Sequence, residues 1–75
     1  MSEQKLGIVK WFNNGLGYGF IHPIINDVVD EDIEYFVHYS EINVPGYKTL
    51  LQDQRVMFIV MSTPKGSQAS EVTPL

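Results

Sequence analysis

The dominant local pattern in this chain is a period of two with β-branched residues, and no stretch sustains the three-to-four spacing of a helical stripe. Leu6 to Asn13 predicts a first strand, followed by Asn14-Gly15, a pair expected to supply the positive φ angles of a tight hairpin turn. Gly17 to His22 predicts a second strand that stops at Pro23, and Tyr35 to Ser40 a third. Between these two, Ile24 to Glu34 mixes a few aliphatics with acids and reads as an exposed loop or a frayed hairpin extension. Ser40 to Asn43 reads as a short turn of helix before Val44-Pro45-Gly46 breaks the chain. Arg55 to Met61 and Gln68 to Thr73 complete the set as fourth and fifth strands, with Thr63 to Ser67 as the turn between them. Five short strands in a chain too small for a two-sheet sandwich predict an all-β fold, a five-stranded antiparallel small β-barrel whose closure hides its edges.

Composition narrows the picture. At 75 residues, the chain is expected to be a single domain over residues 1–75 with one thin core. Size scaling gives roughly 4,700 Å² of folded surface against about 12,300 Å² unfolded. Apolar residues at 44% and charged residues at 19% argue against disorder. Ile8 or Val9, Ile21, Val37, Ile42, Leu50, Val56, Phe58, Val60 and Val72 are the expected core. The absence of cysteine excludes a disulfide framework and a thiolate metal site, and fits a reducing cytoplasm. The polar start from Met1 to Lys5 shows no signal peptide, and the apolar run Val56 to Met61 is too short to span a bilayer, so a cytoplasmic location and no membrane partner are expected.

The chemistry lies in the aromatics, 12% of the residues. In Gly17-Tyr18-Gly19-Phe20-Ile21 a strand places Tyr18 and Phe20 on one face and the glycines on the other. Phe36 and His38 share a face of the third strand, and Trp11 and Phe12 close the first beside Lys10. The aliphatics alone can fill so small a barrel, which leaves clustered rings for the surface, where a persistent apolar patch marks a binding site. The order of the motifs is more specific than any one of them. Gly7-Ile8-Val9-Lys10-Trp11-Phe12-Asn13, Gly17-Tyr18-Gly19-Phe20-Ile21, Phe36-Val37-His38-Tyr39-Ser40, Gly46-Tyr47-Lys48-Thr49-Leu50 and Pro64-Lys65-Gly66-Ser67-Gln68-Ala69 together resemble the cold-shock domain, a small barrel of the OB-fold class. That resemblance covers nearly the whole chain from residue 5 onward. It implies sequence-tolerant binding of single-stranded RNA and DNA, in the manner of an RNA chaperone, by Lys10, Trp11, Phe12, Tyr18, Phe20, Phe36, His38, Tyr39, Tyr47 and Lys65. Rings tolerate most sequences because every base has a π-face. Lys10 and Lys65 are expected to meet phosphates, and His38 to stack rather than titrate.

The chain departs from the resemblance in three places. Leu16 stands where the family commonly has lysine, the connection from Ile24 to Glu34 is longer and more acidic than in most members, and Met57, Ile59 and Met61 line the outer face of the fourth strand. That stripe reads as extra core under a loop, or as a protein or dimer contact on a chain otherwise expected to be monomeric. No catalytic set, metal ligand cluster or cofactor motif emerges: His22 and His38 lack partners at ligand spacing, and the acids read as a solvated loop. A small-barrel module docking proline-rich peptides on its rings is the alternative function. The net charge of -4 at first disfavours nucleic acid. Five of the nine acids (Asp27, Asp30, Glu31, Asp32 and Glu34) lie in the one loop, however, and the remainder carries five basic groups against four acidic, a balance of +1. A distant loop is screened within ~8 Å, so a ligand held by rings more than by phosphates is expected.

Overall fold

The computed structural model describes residues 4–75. Its strands are β1 (Gln4–Asn13), β2 (Tyr18–Ile25), β3 (Val28–Val29), β4 (Tyr35–His38), β5 (Arg55–Thr63) and β6 (Gly66–Pro74), with one turn of 3-10 helix at Tyr39–Glu41. Five of them close on themselves in the order β1-β5-β6-β4-β2, with β2 pairing back onto β1, while β3 extends only the far end of β2. The result is an all-β five-stranded barrel. Every junction is antiparallel except the seam between β4 and β6, where Phe36 faces Gln68 in parallel and Ile42 bridges Val72 in the same sense.

Alternation decides what goes inside. Val9, Ile21, Val37, Ile42, Leu50, Val56, Phe58, Ala69 and Val72 form the buried core, with Phe12, Tyr35, Val44 and Val60 packed against it. Val9 rather than Ile8 points inward, Ala69 joins the core from β6, and Val60 is only half-buried. Among the described residues two polar side chains are buried, and both are satisfied. Ser70 Oγ donates to Glu41 Oε1 at 2.6 Å, tying the 3-10 turn to β6, and His22 Nδ1 donates to the Ile33 carbonyl at 2.9 Å.

Several local expectations are corrected. The connection after β1 is not a two-residue Asn-Gly turn. The Asn13 side chain accepts from Leu16 N–H and its carbonyl from Gly17 N–H, and the positive φ falls at Gly17, which lies ahead of the strand rather than in it. The turn with two positive φ values is instead Asn26-Asp27, as a type I′ hairpin requires, which makes part of the acidic connection the extension β2–β3. Pro23 does not end β2. Its carbonyl accepts from Asp30 N–H, so its missing N–H faces the side that β4 has left after Ile21, where no ladder needs it. The 3-10 turn also begins one residue earlier than expected, at Tyr39. On β5, Met57 pairs with Leu6 and is half-buried, as is Ile59, and Met61 is exposed. Among the described residues no helix is long and apolar enough to cross a membrane.

Between β1 and β2 the register slips. Val9 faces Ile21, but Trp11 faces Phe20, so Lys10 is an extra residue in a β-bulge. The slip reverses the alternation, sending Trp11 outward and Phe12 inward opposite Gly19. Gly19 permits this close crossing. A Cβ there would lie 2.7 Å from Phe12 Cα and would clash with the Trp11 carbonyl. Gly19→Ala is expected to destabilise the fold by about 1–3 kcal/mol, as overpacking does, read as a lower midpoint in urea unfolding with an unchanged slope.

Candidate nucleic-acid interface

The bulge and the register of β2 and β4 bring the rings together on the outer face. Trp11, Phe20 and Phe36 face one another across three strands, and Tyr18 pairs with His38 in the next row. Trp11 and Phe20 meet edge to face with centroids 5.2 Å apart, Phe20 and Phe36 at 5.9 Å, and Tyr18 lies 5.3 Å from Phe36. These edge contacts hold the rings against each other and leave them only half-buried, with Trp11 37% exposed. Tyr35, one residue from Phe36, points the other way and packs on Phe58 in the barrel. His38 continues the patch onto Tyr39, at 4.5 Å. Its Nδ1 accepts from the Ser40 N–H at 3.3 Å and lies 2.9 Å from the Ser40 hydroxyl oxygen.

Beyond Tyr39 the surface deepens into a groove between the β1–β2 turn and the 44–50 connection, lined by Leu16, Gly17, Tyr39, Tyr47 and Lys48. Two contacts fix its walls: Tyr39 N–H donates to the Gly17 carbonyl, and Thr49 Oγ1 donates to Asn14 Oδ1. Tyr47 is 72% exposed. Leu16 makes the floor apolar where the resemblance led to an expectation of lysine, and Lys48 borders the groove as a cation that sequence reasoning passed over. Its position next to Tyr47 was the available signal. At the opposite end, Lys65 shares a cleft with Phe36, Ser67 and Gln68, so the polar edge of β6 also reaches the patch.

Of the ten residues expected to bind, nine lie on or beside this surface. Phe12 does not join the ring network; it packs half-buried against the core, because the bulge turns it inward. Lys10 is at the patch but engaged: its Nζ donates to Glu34 Oε2 at 2.8 Å, in the only salt bridge among the described residues. The acidic connection therefore reaches Lys10, next to Trp11, and the expectation that it lies distant from the rings fails at Glu34. The Lys10 ammonium, through this hydrogen bond first, holds the Glu34 carboxyl below its ordinary value. Among the described residues no cluster of acids and histidines is arranged to hold a metal ion.

The 'Cold-shock' DNA-binding domain family matches residues 5–75, nearly all of the chain. The chain belongs to the cold-shock domain family. Cold shock-like protein CspD of Haemophilus influenzae is 46% identical over 72 residues, covering 96% of this chain and 93% of the relative. The Escherichia coli protein of the same name is 49% identical over 72 residues, covering 96% and 90%. Cold shock-like protein CspA of Bordetella pertussis is 46% identical over 69 residues, covering 92% and 96%. Among solved structures, drosophila Unr CSD456 superposes with a TM-score of 0.75 at 18% identity, over 99% of this chain and 27% of that longer one, a likeness of fold.

The two sides of this cold-shock domain's sheet separate core packing from exposed rings. Phe12→Ala is expected to lower stability by about 1–3 kcal/mol because it empties space against the core. Tyr47→Ala should stay within about 0.5 kcal/mol of wild type, as an exposed side chain does. Urea unfolding of the two variants checks the contrast.

Proposed function

We propose that this cold-shock domain binds single-stranded RNA and DNA with little sequence preference, holding bases on the ring surface and so loosening RNA secondary structure without ATP. The observation that carries this reading is the continuous set of half-exposed rings from Trp11 through Phe20, Phe36, Tyr18 and His38 to Tyr39, with Lys65 and Lys48 at its two ends. A duplex hides its base faces, whereas a single strand offers one to each ring. Stacking contributes about 1–3 kcal/mol per base, so three or four bases give roughly 3–12 kcal/mol gross, enough to compete with pairing in weak helices.

On this reading the domain, residues 1–75, acts as a monomer in the cytoplasm, without a cofactor and without catalysis, and influences transcription or translation, including in the cold, through the folding of the RNA it holds. Trp11, Tyr18, Phe20, Phe36, His38, Tyr39 and Tyr47 stack, while Lys10, Lys48 and Lys65 meet phosphates. Membership of the family disfavours the peptide-docking alternative.

Titration with a pyrimidine hexanucleotide should quench Trp11 fluorescence at micromolar concentration, and absence of quenching would count against the reading. Phe20→Ala and Phe36→Ala should each weaken binding by about 1–3 kcal/mol. Two or three lysine contacts predict a log-log salt slope near -1.4 to -2.1, at about 0.7 per charge, and a slope steeper than about -4 would show phosphates rather than rings in control.

A further inference from the structure

The acidic connection touches the binding face at one point, and the contact is built rather than incidental. Lys10 is the extra residue of the bulge, held between the paired positions Val9 and Trp11. Glu34 sits between two anchored neighbours: the Ile33 carbonyl accepts from buried His22, and Tyr35 pairs with Ile21 at the start of β4. Upstream, Asp30 N–H donates to the Pro23 carbonyl and Asp30 Oδ1 accepts from Asp32 N–H, so the returning limb has a fixed path. Both side chains remain accessible, at 42% and 37%. Lys48 and Lys65 differ. Lys48 Nζ donates to the Ile42 carbonyl, and neither has a salt bridge among the described residues.

We propose that Glu34 stands in for a phosphate on Lys10: in the free protein its carboxylate occupies the ammonium, and a nucleic-acid strand gains Lys10 only by displacing it. This rests on the single-strand reading. The exchange is feasible because an exposed ion pair is weak and a phosphate oxygen offers the same acceptor. It also has a thermodynamic signature. A lysine that neutralises a phosphate releases a condensed counterion, but the freed Glu34 carboxylate takes one up, so Lys10 adds almost nothing to the net ion release. The salt dependence of the wild type then reports Lys48 and Lys65 alone, at about -1.4, and loss of the Glu34 charge restores the third increment of about 0.7.

Titration of Trp11 fluorescence with hexathymidylate from 50 to 500 mM salt tests this. Glu34→Gln keeps the shape of the side chain and should bind more tightly at low salt, with a slope near -2.1, so that its advantage over wild type shrinks about fivefold across the tenfold range of salt. Lys10→Gln should leave the wild-type slope almost unchanged and flatten that of Glu34→Gln by about 0.7. Glu71→Gln makes the same change in net charge at an exposed position of β6 with no salt bridge among the described residues, and should run parallel to wild type. Parallel lines for Glu34→Gln, equal steepening by Glu71→Gln, or equal flattening by Lys10→Gln in both backgrounds would overturn the inference alone. A wild type that fails to bind would overturn the single-strand reading and this inference together.

Discussion

The one-residue slip at Lys10 is the constraint on which the binding face depends. With strict alternation from Gly7 and Val9, Trp11 would point into the barrel and Phe12 out of it. A barrel with so small a core has no room for an indole, and the outer row would lose its first ring. The bulge reverses the phase at the point where β1 leaves the core layer, and Gly19 supplies the space for the reversed strand to lie close on β2. Fold and function are thus joined at a backbone feature: the same crossing closes the barrel and aligns Trp11, Phe20 and Phe36 across three strands.

Sorting of the remaining rings follows from that frame. Tyr35 and Phe36 are neighbours with opposite fates, one packed on Phe58 inside and the other against Phe20 and Tyr18 outside. The outer rings do not simply lie on the surface. Each packs against the next, edge to face at Trp11–Phe20 and Phe20–Phe36 and tilted at Tyr18–Phe36, while part of its surface stays open to solvent. The groove at Tyr39 and Tyr47 contrasts with this, because Tyr47 is largely free in solvent. A rigid platform with one loose ring at its end suits a ligand whose bases differ in size.

Much of the barrel is legible in the alternation of the sequence. Ile21 and Val37 fall inward between aromatic and histidine neighbours, and Val9, Val56 and Phe58 keep the same period of two although Ile8, Met57 and Ile59 beside them are apolar too. What the pattern does not reveal is non-local or is settled by side chains competing for backbone groups. Asn14-Gly15 carries the strongest local hairpin signal in the chain, yet Asn13 captures Leu16 N–H and moves the positive φ to Gly17. Pro23 reads as a strand end, but whether its missing N–H matters depends on where β4 stops. Phe12 reads as a surface ring because a bulge leaves no mark in an apolar pattern. The ring positions were legible from the family's motifs; the approach of Glu34 to Lys10, across 24 residues, was not.

The net charge of -4 therefore has a different meaning from a simple aversion to nucleic acid. Attraction between phosphates and lysines is blind to whether a strand is paired, and a strongly basic patch would hold duplex and single strand alike. Here one acid of the loop, Glu34, lies close enough to occupy Lys10 directly, well inside the ~8 Å over which charge is felt at physiological salt. Weakening the phosphate term lowers affinity for both forms, but only the single strand recovers it, because only its bases present π-faces to the rings. Discrimination against a competitor is achieved by removing an interaction that the competitor shares. On the single-strand reading, an acidic rim beside an aromatic platform is the arrangement that favours unpaired nucleic acid, and the acids belong to the specificity of the surface.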